Sequence, residues 1–164
     1  MNLVRDQKNW DIILGKFKKD GISDSYHNFE YQNLYKSKNS EPILFVHEKK
    51  NKIFILPFFK NKILDTNYYD FETAYGYGGP LTSSFDVNFI KDSWGKFKEI
   101  LNNEKIIAGI IRFNPILNSD EIFENKFIKI IYKCSTVVME CNKTLDHARS
   151  NYSKDIKNRL KKIN

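Results

Sequence analysis

Two short apolar runs, separated by a polar turn, constrain the fold of this chain more than any other feature. The runs occupy positions 42–47 and 53–59, and positions 48–52 between them are polar. This pattern predicts a β-hairpin. Because both runs are apolar at almost every position, both faces of the hairpin must be covered, and we expect helices on each side. Pro57 has no backbone N–H to donate, so we expect it at an edge or a bulge.

Apolar residues that recur at three- and four-residue intervals predict helices around this hairpin. One helix covers roughly 6–19, the next begins at Asp24 or Ser25, and a third begins after Asp86 as its cap. The side chains expected on the inner face of the second helix are Tyr26, Phe29, Leu34 and Tyr35. The later elements are a strand over 105–113, a short helix around 120–127 and one or two strands over 128–141. The expected fold class is therefore α/β, in the α+β sense: a single domain whose mixed, mostly antiparallel sheet is flanked by helices.

The C-terminal segment 143–164 is expected to form a basic amphipathic helix that follows a domain over 1–142. Its apolar stripe consists of Leu145, Ala148, Tyr152, Ile156, Leu160 and Ile163. Basic residues occupy the other face. An apolar stripe must pack against something, and if it stays uncovered we expect self-association through this helix.

The net charge raises the question of an anionic partner, because it is +7 at neutral pH. The excess is almost entirely lysine, since four of the 27 basic residues are arginine. Arginine is the residue suited to bidentate contacts with phosphate and guanine. We therefore expect a solvated basic surface and no specific nucleic-acid binding.

The sequence favours a cytoplasmic location and predicts no membrane span. Its apolar runs all fall well short of the ~20 residues that a membrane helix needs, and the first residues are already polar. In that compartment Cys134 and Cys141 are expected to be reduced thiols. The histidines, His27, His47 and His147, lack a metal-ligand spacing, so we expect surface or structural roles for them and no metal site.

The glycine–tyrosine loop, residues 75–80, is the most informative segment for function. It holds three of the seven glycines, at Gly76, Gly78 and Gly79. Glycines let a ligand approach the backbone closely, and successive amides can bind an anion. The neighbouring Tyr75 and Tyr77 can stack on a sugar or a base. The spacing is neither that of a P-loop nor that of a Rossmann motif, so the segment is either a tight strand-to-helix turn or a ligand-binding loop.

Arg112 and Asn114 form the second candidate site, because they follow a predicted strand at the end where α/β sheets often bind ligands. The Arg112 guanidinium can hold a phosphate or a carboxylate. Alternatively, it pairs with a nearby acid such as Asp70 or Glu72. No nucleophile can be assigned a base, so the catalytic residues are unknown.

The order of these segments resembles that of FemAB-type acyltransferases over nearly the whole chain. The matching segments are 10–14, 26–31, 42–46, 56–57, 69–71, 75–80, Trp94 with Phe97, 112–115 and the basic helix at 155–162. The run from 69–71 into the glycine–tyrosine loop is the most specific match. The resemblance implies two GNAT-like domains in tandem, of the acetyltransferase type, with this chain as the N-terminal one.

Members of that family transfer amino acids from aminoacyl-tRNA to peptidoglycan precursors, or attach acyl groups to cell-envelope sugars. The resemblance implies a substrate cleft that holds a nucleotide-sugar or peptidoglycan precursor, formed by Tyr75, Gly76, Tyr77, Gly78, Gly79, Arg112 and Asn114. It also implies acyl-CoA or aminoacyl-tRNA as acyl donor, with no bound cofactor. In GNAT folds, backbone amides beside a splayed strand pair hold the donor. Without a second domain the chain is expected to be inactive or dependent on a partner. The alternative is a non-catalytic module that binds a nucleotide sugar or a glycan.

Overall fold

The computed structural model describes residues 2–18, 23–117, 129, 131 and 142–162. The chain divides into two compact units, Met1–Ile130 and Ile131–Asn164. The first unit contains β1 (Asn2–Val4), α1 (Gln7–Lys18), a 3-10 helix (Ser25–His27), α2 (Phe29–Leu34), β2 (Ser40–Lys49), β3 (Lys52–Lys62), β4 (Tyr69–Glu72), β5 (Leu81–Thr82), α3 (Val87–Asn103) and β6 (Ile106–Ile110).

The predicted hairpin is formed by β2 and β3, which pair antiparallel with Lys49 opposite Lys52. The two turn residues both have positive φ, 48° at Lys50 and 64° at Asn51. A two-residue turn with both φ angles positive has the twist that flanking strands require. The local sequence and the backbone conformation therefore agree in placing the hairpin here.

Pro57 lies opposite Leu44 in this hairpin. On the other side of β3, Phe54 and Ile55 pair with β5, and residues 59–62 pair with β4. Pro57 therefore falls in the gap between these two partners, where the strand has an unpaired side. The expectation that Pro57 sits at a local edge is confirmed, because its missing N–H removes no hydrogen bond from that side.

Helices cover both faces of the hairpin, as its apolar strands require. Residues of β2 alternate between the faces, with Ile43 and Phe45 facing α3 and Leu44 and Val46 facing α1. The α3 side of the core includes Phe54, Phe58, Phe71, Phe89, Trp94 and Phe97. The α1 side includes Trp10, Leu14, Phe17, Ile53, Ile55 and Leu81. This two-layered core explains why the strands are apolar at consecutive positions.

The sheet is mostly antiparallel, in the order β1-β2-β3-β4-β6, with β5 added to β3. The strands β4 and β6 run parallel, and α3 lies between them in the chain. Asp86 begins α3 by accepting a hydrogen bond from the backbone N–H of Phe89 at 2.8 Å, as its sequence position predicts. The expected fold class is confirmed.

The second predicted helix differs from expectation. Asn28 is extended (φ −69°, ψ 144°) and separates the 3-10 helix from α2, so one continuous helical face does not form. Leu34 and Tyr35, expected inside, are 79% and 44% exposed, whereas Gln32 is fully buried. The break changes which side of α2 faces the core.

The second unit contains α4 (Leu145–Ser150) and α5 (Lys154–Lys161) in place of the single predicted helix. Ser153 is extended and its side chain accepts a hydrogen bond from the backbone N–H of Ile156, so it starts a new helix. The expected elements over 120–127 and 128–141, together with Cys134 and Cys141, lie outside the described residues. Over the described parts of both units, no helix has the length and apolarity needed to span a membrane.

Candidate functional site

The candidate site lies at the carboxyl ends of β4 and β6. Because these strands are parallel, both ends meet at the same edge of the sheet. The backbone N–H of Thr73, just after β4, donates to the Ile110 carbonyl at the end of β6, at 3.0 Å. The Arg112 backbone N–H donates to Thr73 Oγ1 at 2.9 Å. The two segments singled out from the sequence, the glycine–tyrosine loop and Arg112, are thus brought together.

Arg112 pairs with an acid, which is the structural alternative considered for it. Its Nη2 donates to Glu72 Oε2 at 3.0 Å, and its Nη1 donates to the Thr73 carbonyl at 2.6 Å. Asp70, the other candidate acid, instead accepts a hydrogen bond from Asn61 Nδ2 at 3.0 Å. Arg112 therefore fixes the start of the glycine–tyrosine loop.

Gly76 is required by its position in the loop. Its φ of +100° is accessible mainly to glycine, and a Cβ there would overlap the Tyr26 ring. One residue earlier, the Tyr75 carbonyl accepts a hydrogen bond from the Tyr31 hydroxyl at 2.8 Å. The loop is therefore held by tyrosines from the 3-10 helix and from α2.

The part of the glycine–tyrosine loop that is exposed to solvent consists mainly of tyrosine rings, and two of its three glycines are buried. Gly78 and Gly79 are buried, and Gly76 is the loop glycine with positive φ. Tyr75 and Tyr77 are 73% and 41% exposed. The loop connects β4 to β5, so it is a strand-to-strand connection and not the predicted strand-to-helix turn. The surface that it exposes is aromatic.

Five tyrosines are joined in a chain of ring contacts at this surface. Tyr77 meets Tyr26 edge-to-face at 5.9 Å, and Tyr26 meets Tyr31 in the same way at 5.1 Å. Tyr35 lies 5.1 Å from Tyr31 and 6.2 Å from Tyr75. We call the three most exposed rings, Tyr35, Tyr75 and Tyr77, the tyrosine platform. Tyr35 was predicted to face the core. The break at Asn28, between the 3-10 helix and α2, turns it outward.

The Tyr31 hydroxyl contacts two residues of the tyrosine platform, the hydroxyl of Tyr35 and the carbonyl of Tyr75. Burial raises the pKa of Tyr31 well above its ordinary value, and its hydrogen bond with Tyr35 acts in the same direction. The phenol therefore keeps its proton, which is the proton that it donates to the Tyr75 carbonyl. The Tyr31 and Tyr35 hydroxyls lie 3.4 Å apart.

Asn114, which the resemblance assigns to the substrate cleft, is buried within a polar network. Its Oδ1 accepts hydrogen bonds from the backbone N–H groups of Ile116 and Leu117 at 2.9 and 3.2 Å. Its Nδ2 donates to Asp24. The Asn114 side chain therefore orders the turn after β6, and the residue reaches the site indirectly.

Asp24 and His27 belong to the same network, and sequence reasoning assigned them no part in the site. His27 is 1% exposed, and its ring nitrogens lie 3.2 Å from Asp24 Oδ1 and 3.0 Å from the Gly79 carbonyl. Asp24 had been identified as a helix cap, and it does accept the Tyr26 backbone N–H at 2.8 Å. The sequence signal for His27 was absent, because its partner Gly79 lies 52 positions away.

A cavity of about 580 Å³ lies beside the parallel strand pair, between α3 and β6. Its lining includes Trp94, Phe97 and Leu101 from α3 and Gly109 from β6. A Cβ on Gly109 would overlap the Phe71 ring, so glycine lets this ring of β4 lie against β6. The volume is in the range of small-molecule sites, and the lining combines apolar side chains with the polar Lys98 and Asn102.

Within the ranges that the structure describes, no group of three or more histidine, cysteine, aspartate or glutamate side chains is placed to bind a metal ion. Comparison of the chain with protein families, with curated proteins and with solved structures found no match.

Proposed function

We propose that this chain is the substrate-binding half of an acyl- or aminoacyltransferase that modifies a cell-envelope sugar or a peptidoglycan precursor. The observation that carries the proposal is the parallel pair β4–β6, connected through α3 within an otherwise antiparallel sheet. A cavity adjoins this pair, and an aromatic loop leaves its carboxyl end. We assign the cavity to the acyl donor and the tyrosine platform to the acceptor.

The tyrosine platform has the chemistry of a sugar-binding surface. Exposed tyrosine rings offer an apolar face for the C–H groups of a sugar and hydroxyls for its polar edge. The rings are held in place by Tyr31 and by the close fit of Gly76 against Tyr26. Such preorganisation lowers the entropic cost of binding.

The described residues supply binding groups rather than a complete catalytic centre. The Arg112 guanidinium is engaged by Glu72 and the Thr73 carbonyl, and His27 is enclosed between Asp24 and Gly79. Neither is placed to take a proton from an exposed acceptor amine. The chain alone is therefore expected to bind its substrates and to turn them over slowly or not at all.

Donor binding is tested by the fluorescence of Trp94, which lines the cavity. Titration with acetyl-CoA should change the emission of the wild-type protein and of a Trp10→Phe variant, in which Trp94 is the single tryptophan. The same titration of Trp94→Phe should leave the remaining Trp10 emission unchanged. No saturable change with acetyl-CoA or with an aminoacyl-tRNA would remove the donor from this cavity.

Acceptor binding is tested by calorimetry with UDP-N-acetylglucosamine. Tyr75→Ala and Tyr77→Ala should each weaken binding several-fold to about tenfold, the loss expected for one stacked ring. Tyr68→Ala is the matched control, because Tyr68 is 50% exposed and precedes β4 outside the platform. Rapid acyl transfer by the chain with no partner would contradict its assignment as half of an enzyme.

A non-catalytic module that binds a nucleotide sugar or a glycan is the second candidate. The exposed platform of Tyr35, Tyr75 and Tyr77 favours this binding module. A surface of this kind can bind a sugar without an acyl-donor site. The two functions differ in the donor titration. Sugar binding that depends on Tyr75, without any response of Trp94 to acyl donors, would identify the module.

A further inference from the structure

The second unit exposes three residues of the apolar stripe that the sequence predicts for this part of the chain. Over residues 142–162, neither α4 nor α5 contains a buried residue. Leu145 is 62% exposed, and Ile156 and Leu160 of α5 are 46% and 42% exposed. An isolated helix in water needs roughly 12–15 residues to be stable, whereas α5 has eight. A partner that covers this apolar face would therefore stabilise the helix.

The side chains of α5 are arranged by type around the helix. Ile156 and Leu160 are four positions apart and therefore share one face. At about 3.6 residues per turn, Lys157 and Arg159 border this face, one on each side, and Lys154 lies opposite to it. This arrangement is typical of helices that lie in the plane of a membrane interface.

The same segment carries most of the positive charge of the chain. Residues 143–164 include seven basic and two acidic residues, a net charge of +5, whereas the whole chain has +7. In α5 the Arg159 guanidinium pairs with Asp155 at 3.0 Å, and the Lys157 ammonium donates to the Ser150 carbonyl at 2.7 Å. A carbonyl does not neutralise an ammonium, so Lys157 keeps its charge beside the apolar face.

The apolar face and the charge together select the kind of partner. A second copy of the chain would cover the apolar face, but it would bring another segment of charge +5 against the first, which repulsion opposes. A nucleic acid would balance the charge through its phosphates but would leave Ile156 and Leu160 in water. An anionic lipid bilayer offers an apolar interior and a negatively charged surface at once.

We propose that the second unit binds an anionic phospholipid surface through α5, with Ile156 and Leu160 at the boundary between headgroups and acyl chains. The long side chains of Lys157 and Arg159 can lie along this boundary while their charged ends reach the headgroups. Each basic residue close to such a surface strengthens binding roughly fivefold. Lipid binding by α5 goes beyond the proposed function and does not depend on sugar binding at the tyrosine platform.

Lipid binding is tested by flotation of the full chain with vesicles. Vesicles of phosphatidylcholine with about 30% phosphatidylglycerol should bind the protein, and vesicles of phosphatidylcholine alone should bind it at least about tenfold more weakly. Raising the salt concentration from about 50 to about 500 mM should weaken binding several-fold, because salt screens the headgroup charge. Equal binding to both kinds of vesicle, or no binding to either, would overturn the proposal.

The role of the apolar face is tested by Ile156→Ser combined with Leu160→Ser. This pair keeps the charge of the chain and should weaken binding to the anionic vesicles about tenfold or more, because the apolar area that enters the interface is lost. The matched control is Leu64→Ser combined with Val87→Ser. These two side chains of the first unit are 71% and 77% exposed, and their replacement should leave vesicle binding unchanged.

The role of the charge is tested by Lys161→Gln combined with Lys162→Gln, two exposed lysines at the end of α5. At roughly fivefold for each charge, the pair should weaken binding to the anionic vesicles about twentyfold. Lys8→Gln combined with Lys36→Gln removes the same charge from exposed positions of the first unit. This control should bind the vesicles like the wild-type protein.

The other occupants of this surface give different results, and each would overturn the proposal. Binding to a DNA duplex that the lysine pair weakens, without binding to vesicles, would assign the surface to nucleic acid. Self-association that the serine pair abolishes, without binding to vesicles, would assign it to a second copy of the chain. Vesicle binding that the serine pair does not weaken would show that α5 does not enter the interface. Tyr75→Ala should bind the vesicles like the wild-type protein, so a failure of sugar binding and a failure of lipid binding are separate results.

Discussion

At the scale of single residues, two glycines with the same chemistry have opposite roles. Gly76 combines a φ of +100° with a position where a Cβ would overlap the Tyr26 ring. Gly15 lies within α1, and no atom would lie within 4 Å of a Cβ there. The tertiary structure therefore requires glycine at position 76, whereas Gly15 only lowers the stability of its helix.

Replacing each glycine with alanine should therefore change stability in opposite directions. Gly76→Ala should lower the free energy of unfolding by about 1–3 kcal/mol, because it adds both backbone strain and overlap. Gly15→Ala should raise it by roughly 0.5–1 kcal/mol through helix propensity. Urea unfolding of the two variants measures both values. A Gly76→Ala variant as stable as the wild type would show that the loop does not depend on this conformation.

At the scale of elements, the packing of β2 against α3 contains a buried histidine. The His47 ring stacks on Phe89 of α3, with centroids 5.5 Å apart, and its Nε2 lies 3.5 Å from Asp92 Oδ2. Burial lowers the pKa of His47 below its ordinary value, and this outweighs the opposite effect of Asp92. Asp92 also has a closer partner, the Lys49 ammonium at 2.5 Å. The neutral ring is therefore part of the apolar contact between strand and helix.

This contact should make the fold sensitive to acid. The unfolded chain takes up a proton at His47 near pH 6.5, whereas the folded chain does so at lower pH. The contribution of the neutral His47 ring to the free energy of unfolding is therefore fully present above about pH 6.5. It is lost as the pH falls through the pKa that His47 has in the folded chain. His47→Phe should flatten the decrease in unfolding free energy between about pH 7 and 5.

The control for acid sensitivity is His147→Gln, which replaces an exposed histidine. Urea unfolding at several pH values should show the wild-type pH dependence for this variant. A His47→Phe variant that loses stability with acid as steeply as the wild type would place the acid-sensitive group elsewhere.

At the scale of the whole molecule, most of the +7 charge lies in the C-terminal segment 143–164, which carries seven basic and two acidic residues, whereas positions 1–142 are nearly balanced. Five lysines of the first unit, Lys16, Lys49, Lys52, Lys60 and Lys96, each form an ion pair with an aspartate or a glutamate. Such pairs reduce the positive potential that a nucleic acid would meet. Arg112, an arginine near the candidate site, is likewise engaged by Glu72.

Binding to nucleic acid should be weak and nonspecific, because the excess of basic residues is almost entirely lysine. We expect fluorescence anisotropy with a generic DNA duplex to show binding at about 50 mM salt that weakens to the nonspecific range, with a dissociation constant of roughly 10⁻⁴ M or weaker, at about 200 mM. Duplexes of different sequence should behave alike. Tight binding that survives the higher salt concentration would contradict this expectation.

Much of the fold follows from local sequence patterns. The continuous apolar runs at 42–47 and 53–59 determine a hairpin covered on both faces, and the spacing of apolar residues determines α1 and α3. Asp86 begins α3 where its side chain predicts a cap. These features depend on residues a few positions apart, whose spacing can be interpreted without knowing the rest of the structure.

The candidate site was only partly predictable. The glycine–tyrosine loop and Arg112 could be identified as unusual segments, but Tyr35, which is 44% exposed, was predicted to face the core. The sequence could not show that Asn28 breaks the second helix, because an extended asparagine has no distinctive local pattern. This one break turns Tyr35 outward and creates the tyrosine platform.

The sequence by itself determined the elements, the hairpin and the two-sided core, since these arise from local periodicity and from the need to bury apolar strands. Only the tertiary structure decided which acid pairs with Arg112, which ring a side chain at position 76 would overlap, and which groups the His27 ring contacts. Each of those depends on groups far apart in the chain, 40 positions between Glu72 and Arg112 and 52 between His27 and Gly79. Hydrogen bonds and ring contacts of this kind act over a few ångströms, so they are decided only when the sheet and helices bring their partners together.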